Sequence, residues 1–435
     1  MKSKYRYVWL TLFAFLGLFF SACSDGFVNP GHVENTKTLT GHYDIVVEAF
    51  DWGPSVSRAI LTLEQPIARI SPDAIRVTEM MQGKTKTERA VKRVYLSDQN
   101  GVEIESPSQY VTVELTVGPQ VGSSLVGSSQ VVWAAPYRLS FTLTKEVISG
   151  GSKVRALQIQ QDFAKRRIPQ ADRFIYDTYT ASADGTKYSY AAYEPPRVGQ
   201  QNQKRPLIVW LHGGAEGGTD ASMAVLGARA TALIENPIQS ILGGAYVLIP
   251  QAKTMWMDGY STTLGGSSIY TKSLMELIQY YVRSHPNIDS NRIYVGGASN
   301  GGFMTVQLIT TYPNYFAAAF PICSGYASGT MSDEVMKKIL HIPMWFLYSE
   351  ADTTFSPAMF SASMTKRLQA AGATSLHVSS PEKIVDPSDQ YFQQDGVSPY
   401  QYPGHFSWIY AFNQKSYAED DPSLELFHWL SKQRK

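Results

Sequence analysis

Residues 292–303 read RIYVGGASNGGF and contain the pattern Gly-x-Ser-x-Gly at Gly297, Ser299 and Gly301. The apolar run before the serine is typical of a buried strand, and residues 301–311 have the apolar spacing of a helix. A serine between a strand and a helix occupies a turn in which the flanking glycines avoid steric collisions. The stretch therefore predicts an α/β fold with Ser299 as a candidate nucleophile; the alternative is a glycine-rich turn that only caps the helix.

Strands and helices alternate around this stretch from about residue 170 to residue 435. A hairpin is expected first, and the buried strands and amphipathic helices that follow predict a doubly wound, mostly parallel sheet with helices on both faces. The expected strands are residues 174–180, 187–193, 206–211, 244–249, 292–295, 316–322 and 343–348, and the expected helices are residues 223–234, 269–282, 301–311, 357–371 and 424–431.

Residues 38–165 have a different sequence pattern, in which short β-type runs are separated by turn residues. Examples are residues 43–47, 59–63, 110–115 and 137–143. Runs of this length and spacing predict an all-β immunoglobulin-like sandwich domain, although no Cys–Trp–Cys pattern is present and the comparison is one of architecture.

The first residues predict a targeting signal. Lys2, Lys4 and Arg6 precede an apolar run at residues 8–20, and Ser-Ala-Cys follows at residues 21–23. The run is too short to span a membrane and resembles a bacterial lipoprotein signal. We expect a signal peptide at residues 1–22, lipidation of Cys23 and a tether at residues 23–37. The chain would then be exported and anchored in the cell envelope, at the outer membrane or cell surface; the alternative is a plain signal peptide.

Composition excludes several classes of protein. The chain has 435 residues, of which 44% are hydrophobic and 17% charged, so it is not disordered as a whole. The formal charge of +1 gives no basic excess for nucleic acid. The two cysteines, Cys23 and Cys323, exclude a disulfide framework, and no metal-binding spacing occurs. We expect no metal, no cofactor and no nucleic-acid partner.

A serine nucleophile needs a histidine base and a carboxylate to orient it, in the chain order serine, acid, histidine for this fold. Asp352 follows the predicted strand 343–348 and is the preferred acid, with Glu350 as its rival. His405 lies in a loop before the last helix and is the preferred base. The other downstream histidines, His377 and His428, fall in a strand-like run and a helix and are expected to be structural.

Two further segments are candidates for substrate contacts. The strand at residues 206–211 runs into HGGAEGG at residues 212–218, and an oxyanion needs two amide donors, for which we assign Gly214 and Asn300. No Lys-Ser/Thr follows, so a phosphate loop is disfavoured, and His212 is expected to shape the loop. Trp256 follows a strand and either lines the acyl pocket or packs under a loop.

These motifs together resemble α/β-hydrolase serine esterases of the branch that includes prolyl-oligopeptidase-like and polyhydroxybutyrate-depolymerase-like enzymes. The matching stretches are LHGG at 211–214, residues 292–303, FAAAFPICSG at 316–325, EAD at 350–352 and GHFSW at 404–408. The N-terminal part is similar to the immunoglobulin-like domain of EstA-type esterases. The resemblance implies Ser299, Asp352 and His405 as nucleophile, acid and base. Asn300, where many relatives carry Met or Gln, and an insertion at residues 385–402 depart from the family.

Three functions remain open from the sequence. The first is a serine carboxylesterase acting through an acyl-enzyme, with acetyl or feruloyl esters on glycans as substrates. The second is a peptidase of prolyl-oligopeptidase type, and the third is a non-catalytic binding lipoprotein of the envelope.

Overall fold

The computed structural model describes residues 37–83, 86–196 and 203–435. The expected signal peptide, the lipidation site at Cys23 and all of the tether except Lys37 lie outside the described residues. Within the described part, no helix is both long enough and apolar enough to cross a membrane.

The N-terminal part is built of strands. They are β1 (Lys37–Phe50), β2 (Gly53–Ile67), β3 (Ile75–Met81), β4 (Thr87–Arg89), β5 (Val91–Ser97), β6 (Ser108–Leu115), β7 (Leu125–Val126), β8 (Val132–Trp133), β9 (Tyr137–Leu143), β10 (Val147–Ser149), β11 (Ser152–Ile159) and β12 (Arg166–Arg167). One sheet has the order β10-β11-β1-β2-β6-β5, with β12 beside β1, and a second has the order β4-β3-β9.

The two sheets enclose a common apolar core. Strand β9 shows the alternation that produces it, because Tyr137, Leu139 and Phe141 are buried while the residues between them are less so. Tyr43 of β1 packs edge-on against Phe141, with ring centroids 5.0 Å apart. In a β-sandwich, every second side chain of a strand points into the core between the two sheets. The predicted architecture is therefore confirmed.

The C-terminal part is organised around an eight-stranded sheet. Its strands are β13 (Ile175–Thr180), β14 (Lys187–Tyr193), β15 (Arg205–Leu211), β16 (Tyr246–Gln251), β17 (Ile288–Ala298), β18 (Ala318–Ile322), β19 (Met344–Leu347) and β20 (Leu376–Ser379). A small hairpin of β21 (Ile384–Val385) and β22 (Gln401–Tyr402) lies outside it.

The order of the large sheet is β13-β14-β16-β15-β17-β18-β19-β20. The pairs β13/β14 and β14/β16 are antiparallel, and every later pair is parallel. The chain moves from β15 to β16 on one side and then crosses back to β17 on the other. Loops after β15 and β17 therefore diverge at a switch point, where ligand sites form in open α/β sheets.

Helices cover both faces of this sheet. They are α1 (Ala221–Leu226), α2 (Asn236–Leu242), α3 (Thr271–Ser284), α4 (Asn300–Thr311), α5 (Asp333–Lys337), α6 (Ser361–Ala370), α7 (Trp408–Phe412) and α8 (Leu426–Leu430). Two separate apolar clusters, one on each face, bury the strands between them. The expected α/β-hydrolase architecture, with a mostly parallel sheet after a β-sandwich, is confirmed.

The helix expected at residues 223–234 is wrong as a continuous element. Helix α1 ends at Leu226, and a short 3-10 helix spans Ala230–Ile234. Between them Arg229 adopts a left-handed conformation with φ of 53°. Its guanidinium donates to the Asp51 carboxylate at 2.8 Å and to the Asn413 side chain at 2.9 Å. A tertiary contact therefore overrides the local preference for a helix.

Candidate active site

Ser299 occupies the turn between β17 and α4. Its φ of 59° and ψ of −112° fall outside the regions that a non-glycine residue ordinarily adopts. A Cβ added at Gly297 or at Gly301 would collide with the carbonyl oxygen of Leu211 on the neighbouring strand. The flanking glycines let the turn pack directly against β15, and Ser299 projects at the N-terminus of a 12-residue helix.

Asp352 and His405 are brought together from segments 53 residues apart. His405 Nδ1 lies 2.8 Å from Asp352 Oδ2, and the aspartate side chain is 1% exposed. The other carboxylate oxygen, Oδ1, accepts hydrogen bonds from the amides of Thr354 at 2.8 Å and Phe355 at 3.1 Å. Because an ionised carboxylate only accepts, the His405 proton is held on Nδ1 and Nε2 is left to accept one.

The loop that carries His405 packs tightly on the segment that carries Asp352. A Cβ added at Gly404 would collide with the carbonyl group of Ala351. The imidazole also has Phe355 edge-on at 5.5 Å and Trp408 edge-on at 6.3 Å, measured between ring centroids. These contacts restrict the imidazole to one orientation.

Ser299 and His405 line the same cavity, which has a volume of about 280 Å³. Its walls come from both parts of the chain and are more apolar than polar. The lining residues are Trp52, Gly53, Pro54, Ser123, Leu125, Val131, Gly213, Gly214, Ala215, Glu216, Gly227, Ala228, Ala298, Ser299, His405, Phe406 and Trp408. The structure therefore brings the predicted nucleophile and base to one site, with the predicted acid behind the base.

Gly214 lines this cavity, and Asn300 lies beside it. Leu211 and Gly297 are register partners on β15 and β17, so the loops that follow these strands emerge together. A Cβ on Gly214 would lie 3.7 Å from the Cβ of Asn300. Within the described residues, neither amide donates to another protein group. The Asn300 side chain is occupied elsewhere, since its Oδ1 accepts from the Met257 amide at 3.0 Å.

His212 holds the Gly213–Gly214 loop from beneath. Its Nε2 accepts a hydrogen bond from the Ala252 amide at 3.0 Å, so Nδ1 carries the proton and donates to the Gly213 carbonyl at 2.6 Å. Burial lowers the pKa of His212 to about 4, against a smaller opposing effect of the hydrogen bond to Gly213. The ring is therefore neutral, and its two hydrogen bonds hold the loop in place, in line with the expectation that His212 shapes this loop.

Trp256, which we expected either to contact substrate or to pack under a loop, is not among the residues that line the cavity with Ser299. Its side chain is fully buried. The indole lies 5.0 Å from the His212 ring and 5.8 Å from the Tyr270 ring, centroid to centroid. Trp256 thus packs behind the loop, which was the other reading of its position.

Glu216 also lines the cavity, although it was not among the site residues expected from the sequence. Its Oε2 accepts a hydrogen bond from the Gly213 amide at 2.7 Å. Gly227 leaves room for the carboxyl group, because a Cβ there would collide with it. Desolvation raises the pKa of Glu216 to about 7, although the Gly213 amide acts in the opposite direction. An acidic residue inside the glycine-rich stretch 213–218 was the available signal.

Glu216→Gln is expected to remove a pH dependence of stability. The folded state holds the Glu216 proton more tightly than the unfolded chain, so the contribution of Glu216 to the free energy of unfolding falls as the pH rises from about 4.5 through about 7. Glutamine keeps the acceptor for the Gly213 amide and carries no charge. The melting temperatures of the two proteins should converge near pH 4.5, and the variant should melt higher at pH 8.

The comparison isolates Glu216 because His212 is present in both proteins. His212 acts with the opposite sign, since its lowered pKa makes stability fall as the pH drops from about 6.5 through about 4. If the difference between the two melting temperatures is the same at every pH, folding does not change the pKa of Glu216, and this prediction is wrong.

Two segments of the β-sandwich also contribute to the site, and no sequence motif indicated either of them. The turn between β1 and β2 places Trp52 in the cavity wall and Asp51 in a polar cluster. The Asp51 carboxylate accepts from Arg229 at 2.8 Å and Asn413 at 3.0 Å. Its carbonyl accepts from the Trp408 indole at 3.0 Å. This cluster ties the sandwich to the helix that follows His405.

The second segment is the β7–β8 hairpin, which lies on the glycine-rich loop. The Val131 amide donates to the Ala215 carbonyl at 2.8 Å, and the Gln130 side chain donates to the Gly217 carbonyl at 2.7 Å. Val131 also lines the cavity with Ser299. The position of the loop therefore depends on the N-terminal part of the chain.

The remaining candidates lie apart from this cavity. Cys323 is buried, and desolvation raises the pKa of its thiol well above the ordinary range. His377 contacts Asp420 at 3.0 Å, and His428 contacts Glu425 at 3.2 Å. None of the three lines the cavity with Ser299.

Comparisons with known proteins give the same picture of the architecture. Residues 42–136 match the family described as "Esterase Ig-like N-terminal domain", and residues 256–337, which include Ser299, match the "Prolyl oligopeptidase family". A solved structure titled "Crystal Structure of a Thermostable Esterase" aligns with 91% of this chain and 100% of its own, at a TM-score of 0.70 and 24% identity. That likeness shows the fold.

Curated relatives match shorter stretches. Poly(3-hydroxyalkanoate) depolymerase C of Paucimonas lemoignei is 30% identical over 132 residues, which are 28% of each chain. Acetylxylan esterase A of Emericella nidulans is 36% identical over 73 residues, 16% of this chain and 23% of its own. An uncharacterised secreted protein of Arthroderma benhamiae is 23% identical over 229 residues, 50% of this chain and 22% of its own. The chain spans less than a third of the length of these relatives.

Proposed function

We propose that this chain, an α/β-hydrolase-fold protein with an esterase-type immunoglobulin-like domain, is a serine carboxylesterase that works through an acyl-enzyme. The observation that carries the proposal is the single cavity into which Ser299 and His405 both open, with His405 oriented by the buried Asp352. Esterase and depolymerase names among the relatives support the choice of esters.

In the proposed reaction, Ser299 Oγ attacks the ester carbonyl carbon while His405 Nε2 takes its proton. The carbonyl oxygen becomes anionic and accepts hydrogen bonds from the Gly214 and Asn300 amides. As the tetrahedral intermediate collapses, His405 returns the proton to the leaving alkoxide and the alcohol departs. Water then attacks the acyl carbon and gives a proton to His405. When this second intermediate collapses, the bond between the acyl carbon and Ser299 Oγ breaks, His405 returns the proton to Oγ, and the carboxylic acid is released.

The volume of the cavity limits the size of the acyl group. At about 280 Å³ it lies at the small end of the range for ligand pockets. Trp52 and Leu125 are among the apolar side chains that line it on the side of the sandwich. Acetyl esters, and the feruloyl esters expected from the sequence, attached to a glycan are the substrates that we propose; the acetylxylan esterase relative is consistent with the first.

A peptidase is the second candidate, because the matched prolyl oligopeptidase family covers the Ser299 turn. The test is a comparison of short-chain aryl esters with prolyl-peptide anilides that carry matched leaving groups. We expect kcat/KM for the ester to be higher by on the order of 10²-fold or more. A clear preference for the amide would overturn the esterase assignment and favour the peptidase.

We also propose export and lipid anchoring at Cys23, outside the described residues. The signal-like residues 1–23 support it, as does the secreted relative. Cells grown with a labelled fatty acid should label the wild-type protein and leave Cys23→Ser unlabelled, because lipidation needs the Cys23 thiol. Equal labelling of both proteins, or no labelling of either, would contradict the anchor.

A further inference from the structure

We infer that a groove leading away from Ser299 binds the alcohol part of the ester as an extended, neutral, hydroxyl-rich chain such as an oligosaccharide. The inference rests on the proposed esterase function and adds a binding site to it. Val131 lines both the catalytic cavity and a second cavity of about 390 Å³. Thr219 and Lys253 line both that cavity and a third of about 600 Å³. Each neighbouring pair of cavities therefore shares part of its wall.

The second cavity contains a buried acceptor that lacks a donor. Gln251 is 1% exposed, and its Nε2 donates to the Glu216 carbonyl at 2.9 Å. Because only the amide nitrogen can donate to a carbonyl, this bond distinguishes Nε2 from Oε1. The atom without a partner is therefore the carbonyl oxygen Oε1. Gln251 lines the cavity. A buried acceptor that no protein group satisfies is a site that a ligand hydroxyl can satisfy.

Charged and hydroxyl groups continue along the groove. Lys253 is exposed and has no ion pair among the described residues, so its ammonium group is available to a ligand oxygen. The Asp220 carboxylate accepts from the Trp133 indole at 3.1 Å and from the Ser222 hydroxyl at 2.6 Å. Thr219 adds a hydroxyl at the junction of the second and third cavities.

The balance of these groups selects the class of ligand. The second and third cavities together contain two cationic side chains, Lys187 and Lys253, and two anionic ones, Asp184 and Asp220. A polyanion would need a cationic excess, which these four side chains do not provide. Hydroxyl, amide and balanced charged groups suit a neutral chain rich in hydroxyls. The half-buried Trp133 lines the second cavity beside them, with the Arg166 guanidinium 4.0 Å from its ring centroid on one face.

The first test measures wild-type kcat/KM on acetylated xylo-oligosaccharides of increasing length. Each sugar unit that reaches the groove adds contacts, so kcat/KM should rise with length until the groove is filled. Values that do not change with length would overturn the groove. A protein that fails to cleave aryl acetates would instead contradict the esterase function, so the two failures are distinguishable.

The second test uses two variants and a control. Thr219→Trp fills the junction of the two outer cavities, and Lys253→Ala removes the free cation. Each should raise KM for the longer oligosaccharides by about fivefold or more and leave aryl acetate hydrolysis within about twofold. Lys366→Ala, an exposed lysine of α6 that lines none of these cavities, is the matched control and should change neither. Equal effects on both substrates, or none on either, would overturn the inference.

Discussion

Ser299→Ala is expected to lower kcat/KM for aryl esters by on the order of 10³-fold or more. Alanine has no nucleophile to form the acyl-enzyme, and the rate that remains would come from water attacking an ester held by the Gly214 and Asn300 amides. The loss should appear in kcat rather than in KM, because the hydroxyl participates in the chemical step and the cavity that binds the ester is otherwise unchanged.

The variant should stay folded, which makes the result interpretable. Ser299 makes no side-chain hydrogen bond to the helix that it precedes, so alanine removes no structural contact. Alanine also meets much the same strain as serine at a φ of 59°, since neither side chain is branched at Cβ. The melting temperature should therefore stay close to that of the wild type.

A serine-directed phosphonate provides the control. It should add its mass to the wild-type protein and leave the variant unlabelled, because it needs an activated hydroxyl. Full esterase activity in a folded Ser299→Ala protein would show that Ser299 is not the nucleophile and would overturn the mechanism shared by the esterase and peptidase hypotheses. A wild-type protein that cleaves neither aryl esters nor peptide anilides and takes up no phosphonate would instead favour the binding lipoprotein.

The turn at Ser299 was predictable because its constraint is local and steric. Gly297 and Gly301 lie where a Cβ would collide with β15, so both positions require glycine. The sequence shows this requirement as two glycines that flank the serine at a fixed spacing. The positions of Asp352 and His405 followed from a second local property, that each lies in a loop after a predictable element. The position of the Trp256 ring could not be predicted in this way, because the sequence does not show whether the indole faces the cavity or packs behind the loop.

The walls of the site depend on contacts between distant segments and could not be predicted. The Asp51 carbonyl and the Trp408 indole form a hydrogen bond across 357 residues of sequence. No pattern within either segment indicates that the sandwich lies beside the loop of His405. Likewise, the break in the helix expected at 223–234 depends on Arg229 reaching Asp51. In each case the local sequence was compatible with several environments, and packing selected one.

Asp352→Asn is expected to lower kcat by about 10⁴-fold, and the reason lies in the two amides behind the carboxylate. Thr354 and Phe355 donate to Oδ1, so an asparagine must place its carbonyl oxygen there. Its amino group then faces His405 Nδ1 as a donor. Nδ1 must accept, the ring proton moves to Nε2, and Nε2 can no longer take the proton of Ser299.

The control is the other carboxylate of the same loop. Glu350 is exposed and was the rival acid on sequence grounds, so Glu350→Gln should leave kcat within about threefold of the wild type. The NMR signal of the His405 ring proton supplies a readout beyond activity, because it should shift from Nδ1 to Nε2 in Asp352→Asn alone. A large loss in Glu350→Gln with little change in Asp352→Asn would reassign the acid. A loss in Asp352→Asn with the proton still on Nδ1 would show that the negative charge of the carboxylate, and not the tautomer, is what the base requires.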